Sequence, residues 1–476
     1  MESSIAFVLD GGIVRIQFPH PAYGPTTTVL NFLRSLPGHR GVKEGCAEGD
    51  CGACTVVLGE LNSSGRIRYR SVDSCLLFLP MLDGKELVTV ENVANSPDEL
   101  HPVQQAMVDT GGSQCGYCTP GIIMSLFSLY KQSDRPSREE IDDALTGNLC
   151  RCTGYRPIVE AASRACVHEG NDRFSARQPE TARLLESIPR RSVRIQTGTQ
   201  SYFRPASLGE AVALKHRNPD AIVISGATDV ALRVTKRHEL LTEIIDLMDV
   251  EDLRSVTDFG NVLHVGSGVR LSDLIPVVRE SVPALSSMLS VFGSQQIRNL
   301  ATLGGNLGTA SPIGDMLPVL IACNARVVLE SLDGRREFPV SEFVTGYRRT
   351  LRKPHELITT IVIPKPQDGA IVKSYKVSKR KDLDISTVSG GFRLEVNGRG
   401  MVESVILAYG GMAERVKRAE TAESFLCGKR WSREVVEQAM PLVDRDFSPI
   451  SDARSGAEFR RIAARNLLLK FWTESS

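Results

Sequence analysis

The chain has 476 residues, which is too long for one ordinary domain and, at about 150 residues per domain, predicts about three. Its 57 basic and 56 acidic residues nearly cancel, and the lack of a basic block argues against a nucleic-acid partner. The N-terminus alternates like a β-strand and lacks the pattern of a secretory signal, and no apolar run approaches the ~20 residues that cross a bilayer. We therefore expect a cytoplasmic protein that does not enter membranes.

Local patterns change four times along the chain and predict a multidomain α+β protein. Residues 1–86 alternate short strand-like runs with glycine-rich turns, and residues 87–167 have helical spacing with proline and serine at the helix starts. Residues 168–196 are charged and lack a long periodic run, which predicts a linker. Residues 197–368 mix strands with helices, and residues 369–476 begin with strands and end with helices.

The first group of cysteines has the spacing of a plant-type ferredoxin. Three of them follow the pattern C-x4-C-x2-C, and a fourth comes after 20 further residues. Glycines lie beside and between them, where a short loop must wrap a cluster and turn its backbone N–H groups toward sulfur. A four-cysteine zinc site is the alternative, although such sites usually contain two C-x2-C pairs. The spacing predicts a 2Fe-2S cluster held by Cys46, Cys51, Cys54 and Cys75.

The second group of cysteines has a different spacing, C-x2-C followed by 31 residues and then C-x-C. Each pair lies at a predicted helix start or junction. Alone, this pattern is compatible with zinc, but beside a ferredoxin-like domain it favours a second iron–sulfur cluster. Its members are Cys115, Cys118, Cys150 and Cys152. The other three cysteines, Cys166, Cys323 and Cys427, lie in apolar contexts that predict buried structural thiols.

Two glycine-rich segments occur in the second half, VISGATDV at 223–230 and ATLGGNLGTASPIGD at 301–315. Neither is a GxGxxG that opens a helix after a first strand, so a Rossmann site is not supported. Loops of this kind can still offer clustered backbone N–H groups to a pyrophosphate. The polar residues that could hydrogen-bond phosphate or hydroxyl groups are Thr228, Asp229, Thr302, Asn306, Thr309 and Asp315. As isolated motifs both segments are more often surface turns. The histidines form no constellation that indicates an acid/base site.

Taken together, SQCGYCTPG at 113–121, GNLCRCTGY at 147–155 and the ferredoxin-type quartet resemble the iron–sulfur half of the molybdenum hydroxylases. The segment at 292–315, FGSQQIRNLATLGGNLGTASPIGD, is similar to the flavin domain of the same family. The resemblance implies a β-grasp ferredoxin-like domain, a four-helix 2Fe-2S domain, a vanillyl-alcohol-oxidase-type (PCMH) FAD domain and a small α+β C-terminal domain.

The resemblance also implies roles for individual residues. Gln114 matches a glutamine that faces the pterin. Lys376 opens a loop near the flavin, in which Leu383 stands where animal relatives carry an acid. The residues that match FAD contacts are Val223, Ile224, Ser225, Gly226, Ala227, Thr228, Asp229, Val230, Phe292, Thr302, Leu303, Gly304, Gly305, Asn306, Asp315, Ile358 and Lys376.

The resemblance finally implies a partner, because a molybdopterin domain needs several hundred residues that this sequence does not supply. We expect a large molybdopterin-binding subunit to oxidise a purine and to pass electrons through the second quartet's cluster, the first quartet's cluster and FAD to NAD. An aldehyde, nicotinate or other aza-arene substrate is the alternative, and a zinc-stabilised scaffold is a remote one. The family suggests a dimer of heterodimers.

Overall fold

The computed structural model describes residues 3–94, 96, 99–167 and 172–476. It divides into two compact units that interleave along the chain. The first unit comprises residues 1–206, 221–249 and 294–301, and the second comprises residues 207–220, 250–293 and 302–476. Within the described ranges, no helix is long and apolar enough to cross a membrane.

The first unit contains two sheets. A five-stranded sheet has the order β2-β1-β5-β3-β4, in which only β1 and β5 run parallel, and a four-stranded sheet has the order β6-β7-β9-β8. The strands are β1 (Ser4–Leu9), β2 (Gly12–Gln17), β3 (Thr55–Leu61), β4 (Ile67–Asp73), β5 (Glu86–Val88), β6 (Val193–Gln196), β7 (Ser201–Arg204), β8 (Ile222–Ile224) and β9 (Glu243–Asp246).

The helices of the first unit match most of the sequence expectations. Ser137 caps its helix through a capping box with Glu140, as the serine signal predicts. The α-helices are Val29–Ser35, Pro102–Asp109, Thr119–Tyr130, Arg138–Leu145, Arg156–Ala165, Arg173–Glu186, Ala231–Thr235 and Gln295–Arg298, and the 3₁₀ turns are Leu79–Leu82 and Val90–Asn92.

One apolar cluster connects the two sheets of the first unit. Phe7 of β1, Leu33 of the first helix, Tyr202 of β7 and Ile224 of β8 all belong to it and are almost fully buried. Burying a side chain of this size contributes about 2 kcal/mol. The cysteine loops that border this core are therefore anchored to a rigid support.

The expectation of a linker over residues 168–196 is wrong where the structure describes that segment. Residues 168–171 lie outside the described residues, but Arg173–Glu186 is a helix that Asp172 caps by accepting a hydrogen bond from the backbone of Ser175 at 2.7 Å. The strand β6 follows. Phe174 and Leu185 pack against the five-stranded sheet, and their helical spacing was hidden among charged residues.

A buried ion cluster fixes the start of this helix. The Asp172 carboxylate accepts hydrogen bonds from His101 Nε2 at 3.1 Å and Lys131 Nζ at 2.9 Å, and its side chain is fully buried. Burial would raise the pKa of Asp172, but the hydrogen bonds from His101 and Lys131 outweigh burial and hold that pKa well below its usual range. The ionised carboxylate is therefore part of the folded state.

Replacing Asp172 by asparagine should lower the free energy of unfolding at pH 7 by about 3 kcal/mol, because the substitution leaves Lys131 without its counter-charge. A depressed pKa stabilises the folded state above the unfolded pKa of about 3.9, so the difference from wild type should narrow only below about pH 4. Urea unfolding at several pH values measures both effects. The control Asp142→Asn removes an exposed pair with Arg138 and should change little. Equal stability of wild type and Asp172→Asn at pH 7 would contradict this account.

The second unit also contains two main sheets, both antiparallel throughout. Their orders are β10-β11-β16-β12-β13 and β17-β18-β19-β20, and β14 pairs with β15 in a short hairpin. The strands are β10 (Val256–Asp258), β11 (Val262–Gly266), β12 (Arg326–Ser331), β13 (Gly334–Pro339), β14 (Val344–Gly346), β15 (Arg349–Thr350), β16 (Leu357–Pro364), β17 (Ile371–Val377), β18 (Val388–Val396), β19 (Val402–Gly410) and β20 (Lys417–Arg418).

Helices pack on both sheets of the second unit. The α-helices are Leu208–Arg217, Leu271–Ser281, Pro283–Ser290, Leu303–Thr309, Met316–Ala322, Val340–Phe343, Glu420–Leu426, Arg433–Ala439 and Ala457–Ser475, and the 3₁₀ turns are Glu251–Arg254 and Met440–Arg445. The last long helix buries Leu468 and Phe471 in a cluster with Phe392 and Tyr409. Cys427 is exposed, so the expectation that it is buried is wrong, whereas Cys323 is buried as expected.

Candidate functional site

The β3–β4 hairpin brings the first quartet together. Three of its cysteines lie in the loop before β3, and Cys75 follows β4. Because Thr55 pairs with Asp73 in the hairpin, Cys54 lies opposite Ser74, whose hydroxyl donates to the Cys54 carbonyl at 2.7 Å. The thiols form two hydrogen-bonded pairs, Cys46 with Cys51 and Cys54 with Cys75.

The loop of the first quartet favours the thiolate form of Cys46, whereas the hydrogen bond with Cys46 raises the pKa of Cys51, and the bond with Cys75 raises that of Cys54. The hydrogen bond from the Cys51 thiol lowers the pKa of Cys46 to about 5, against an opposing effect of burial. The backbone N–H groups of Glu48 and Asp50 also donate to Cys46 Sγ, at 3.4 and 3.3 Å. Gly49 has a φ of 76°, a left-handed conformation that allows the chain to turn its N–H groups toward the sulfur.

Two helix junctions position the second quartet. Cys118 is the N-cap of the helix Thr119–Tyr130, and Cys150 and Cys152 lie in the turn before the helix Arg156–Ala165. Thiol hydrogen bonds join Cys118 to Cys150 and Cys115 to Cys152, so each pair takes one cysteine from each motif. Cys115 and Cys152 are exposed, whereas Cys118 and Cys150 are partly buried.

All eight predicted ligands therefore lie in thiol pairs, two pairs in each quartet. A 2Fe-2S cluster contains two irons, each of which takes two thiolates, and the paired donor set fits that group. Within residues 3–94, 96, 99–167 and 172–476, no group of three or more His, Cys, Asp or Glu side chains meets the geometry for one metal ion.

The loops of the two quartets are joined directly, which the sequence did not indicate. The backbone N–H of Leu149 donates to the Cys51 carbonyl at 3.0 Å, and Asn148 Nδ2 donates to the Gly52 carbonyl at 3.1 Å. The hydroxyl of Tyr117 donates to the Glu44 carbonyl. A Cβ at Gly52 would overlap the carbonyl oxygen of Gly147, so this contact requires glycine.

A buried amide network supports this junction. Asn148 accepts hydrogen bonds through its Oδ1 from Ser125 Oγ at 2.6 Å and from Gln296 Nε2 at 2.9 Å. Asn148 and Gln296 are almost completely buried. These two residues were missed from the sequence, since asparagine next to a cysteine motif and glutamine in a helix carry no distinctive pattern. Their role is to hold the loop of the second quartet against that of the first.

The glycine-rich segment at 223–230 lies in the first unit. It leaves β8 after Ile224 and turns through Gly226 and Ala227, both with positive φ values (91° and 60°), before the helix Ala231–Thr235. A Cβ at Gly226 would overlap the backbone carbonyl of Leu300. Both the backbone conformation and this close approach therefore demand glycine, and the turn presents main chain rather than side chains.

The glycine-rich segment at 301–315 lies in the second unit from Thr302 onward, and its expected loop structure is wrong over much of its length. Leu303–Thr309 is a helix, which Thr302 caps by accepting a hydrogen bond from the backbone of Gly305 at 3.0 Å. The glycine at 304 serves close packing, because a Cβ there would overlap Ser267. The side-chain oxygen Oδ1 of Asn306 is buried and has no hydrogen-bond partner among the described residues, as expected of an acceptor that serves a bound hydroxyl.

Two of the remaining predicted contacts of the second unit, Asp315 and Lys376, bond to each other. Lys376 Nζ bonds to the Asp315 carboxylate at 2.9 Å and to the carbonyl of Val291, the neighbour of Phe292, at 3.0 Å. Ser386 Oγ donates to the same carboxylate at 2.5 Å. Ile358 lies on β16, near Gly308 of the helix Leu303–Thr309. Gln114, predicted to face a pterin, is exposed in the first unit.

Three family models match most of the chain. The model described as FAD binding domain in molybdopterin dehydrogenase matches residues 193–366, the one described as 2Fe-2S binding domain matches residues 89–163, and the CO dehydrogenase flavoprotein C-terminal domain matches residues 373–475.

Similar proteins extend these matches to the first quartet. The xanthine dehydrogenase of Emericella nidulans is 32% identical over 99% of this chain and 38% of its own length, and the xanthine dehydrogenase/oxidase of Gallus gallus is 31% identical over 94% and 38%. The chain thus spans about two fifths of the length of these relatives. A solved carbon monoxide dehydrogenase from Hydrogenophaga pseudoflava is similar over 56% of this chain and 94% of its own, with 28% identity and a TM-score of 0.54. The solved structure of quinoline 2-oxidoreductase from Pseudomonas putida 86 is similar over 59% of this chain and 98% of its own, with 25% identity and a TM-score of 0.54.

The paired cysteines and these matches define an iron–sulfur flavoprotein. The chain belongs to the molybdenum hydroxylase family, of which it carries the 2Fe-2S and FAD-binding domains.

Proposed function

We propose that the chain is the iron–sulfur and FAD subunit of a xanthine dehydrogenase. Electrons from a partner molybdopterin-binding subunit, which converts hypoxanthine and xanthine to urate, would pass through two 2Fe-2S clusters to FAD and then to NAD. The observation that carries this proposal is the direct hydrogen-bonded junction between the two cysteine loops, together with the match to an FAD-binding domain.

Each quartet has a separate role in this proposal. The thiolates of Cys46, Cys51, Cys54 and Cys75 would hold one cluster, and those of Cys115, Cys118, Cys150 and Cys152 the other. Iron–sulfur clusters carry single electrons, whereas a flavin can collect two and deliver a hydride. The Leu149 N–H to Cys51 carbonyl contact keeps the two ligand sets adjacent, and the exposed Cys115 and Cys152 leave the second quartet open on the side we assign to the partner.

The FAD contacts are proposed separately for each unit. In the first unit, the turn at 223–230 offers backbone N–H groups, and in the second, Thr302 to Asn306, Asp315 and Lys376 offer polar groups. The unpartnered Asn306 oxygen and the Asp315–Lys376 pair support this assignment. Phe292 and Ile358 would supply apolar contacts to the flavin ring.

The finer fold names and boundaries belong to the same proposal. The mixed sheet β2-β1-β5-β3-β4 with the helix Val29–Ser35 supports a β-grasp domain over 1–86, and the helices between Pro102 and Ala165 support a four-helix domain over 87–167. We further propose a PCMH-type FAD domain over 197–368, a C-terminal domain over 369–476, a cytoplasmic location and a dimer of heterodimers.

A second candidate substrate class follows from the solved structures. Likeness to a quinoline oxidoreductase and to carbon monoxide dehydrogenases fits an equivalent subunit for aldehydes, nicotinate or another aza-arene equally well. Leu383 stands at the position of an acid in animal relatives. The electron acceptor, NAD or another molecule, is therefore tested together with the substrate.

Activity assays with and without a partner test the proposal. The chain alone should reduce a dye at the expense of NADH in proportion to its FAD content, and it should not oxidise purines. Co-expression with a molybdopterin-binding subunit should restore xanthine-dependent reduction of NAD. Oxidation of quinoline or an aldehyde but not xanthine by that complex would favour the second candidate, and an FAD-loaded chain that does not react with NADH would contradict NAD as acceptor.

A further inference from the structure

Lys236 places a positive charge on the loop of the first quartet. It lies at the end of the helix Ala231–Thr235, in the first unit, and about half of its side chain is exposed. Its Nζ donates to the carbonyl of Cys46 at 3.0 Å and lies 3.4 Å from the carboxylate of Glu48. The ammonium group is thus bonded directly to the backbone of a predicted ligand.

Acidic residues accompany the cysteines of the first quartet. Glu48 and Asp50 belong to the loop itself, and the buried Asp73 lies beside Cys54, with its Oδ1 3.7 Å from Cys54 Sγ. A cluster with four thiolate ligands is anionic, and its reduction adds one further negative charge. The reduction potential of such a cluster depends on the net charge and hydrogen bonds around its sulfurs.

We propose that Lys236 raises the reduction potential of the cluster held by the first quartet, and that Glu48 opposes it. The ammonium stabilises the added electron through space, while its bond to the Cys46 carbonyl holds it in place. This inference rests on the proposed function only in requiring that the first quartet binds a 2Fe-2S cluster. The helix Ala231–Thr235 directly follows the predicted flavin-binding turn at 223–230. Through Lys236 at its end, it would then raise the reduction potential of the cluster that delivers electrons to FAD.

A purely structural role for Lys236 predicts something different. If the side chain only tethers the loop, its removal should reduce stability or cluster content without a systematic change of potential, and the charge of Glu48 should be irrelevant. If charge acts on the cluster, the two substitutions must shift the potential in opposite directions. This sign difference separates the two explanations.

Redox titration of the purified, cluster-loaded chain, followed by visible absorption and electron paramagnetic resonance, tests the proposal. Lys236→Met should decrease the ratio of reduced to oxidised first cluster at a fixed potential by about threefold to tenfold, the range expected for unit charges near a protein surface. A tenfold change corresponds to about 59 mV for one electron. Glu48→Gln should increase the same ratio.

Two controls limit the interpretation. Lys236→Arg keeps the charge and should stay within about twofold of wild type, and Arg194→Met removes an exposed charge from β6, where the guanidinium lies over Phe203, and should have no effect. Unchanged potentials in both Lys236→Met and Glu48→Gln, or an equal shift in Lys236→Arg, would overturn the proposal. If Lys236→Met does not load its cluster, Lys236→Gln, which is also uncharged, takes its place in the comparison. A wild-type chain without any 2Fe-2S signal would instead contradict the proposed function.

Discussion

Replacing Cys54 by serine is expected to remove about half of the iron from the purified chain, because each of the two quartets holds one 2Fe-2S cluster and only the first loses a ligand. Cys54 is almost fully buried and its thiol pairs with that of Cys75, so the substitution removes one member of a buried pair of ligands. A hydroxyl is a much poorer ligand than a thiolate for iron in such a cluster. Iron analysis and electron paramagnetic resonance should show one signal lost and the other retained.

Matched cysteine variants make this prediction specific. Cys152→Ser, in the exposed part of the second quartet, should remove the other signal, and Cys427→Ser, at an exposed cysteine outside both quartets, should leave iron unchanged. Full iron content in Cys54→Ser, or equal losses in Cys427→Ser, would mean that the quartets are not the ligands.

Replacing Gly226 by alanine should destabilise the chain by about 3 kcal/mol and release its flavin. The backbone of Gly226 has a φ of 91°, and an added methyl group would overlap the carbonyl of Leu300. Left-handed strain and overpacking together account for an effect of this size. Urea unfolding measures the loss of stability, and absorbance of the purified protein measures the FAD that remains.

The turn between β6 and β7 offers a control in the same sheet. A Cβ added at Gly198 would meet no atom within 4 Å, so Gly198→Ala should change the free energy of unfolding by less than about 1 kcal/mol and keep FAD bound. If Gly226→Ala unfolds at the wild-type urea concentration with its flavin in place, the close approach of the turn to Leu300 has no importance for folding or FAD binding.

The sequence predicted those parts of the molecule whose signals are local. Ser137 is the expected helix cap, and the spacing of the cysteines picked out the eight residues that the structure places in four thiol pairs. The pairing within each group could not be read from spacing, because it depends on the hairpin β3–β4 and on the helix junctions at Cys118 and Cys150.

The predictions that failed concern residues whose structure depends on contacts with distant parts of the chain. The helix Arg173–Glu186 was interpreted as a linker because charged residues separate its few apolar ones. Those apolar residues form a buried face only when the helix packs on the five-stranded sheet. The glycines at 304 and 305 suggested a loop, yet Gly304 serves the packing of a helix on Ser267. Asn148 and Gln296, which join distant parts of the chain, have no local signature at all.

The most direct test of the central claim is combined metal, flavin and electron paramagnetic resonance analysis of the purified chain after anaerobic reduction. Two 2Fe-2S clusters and one FAD predict about four irons and one flavin per chain, visible absorbance that bleaches on reduction, and two distinguishable signals. A colourless protein that contains zinc, or a single signal that persists when either quartet is mutated, would contradict the account.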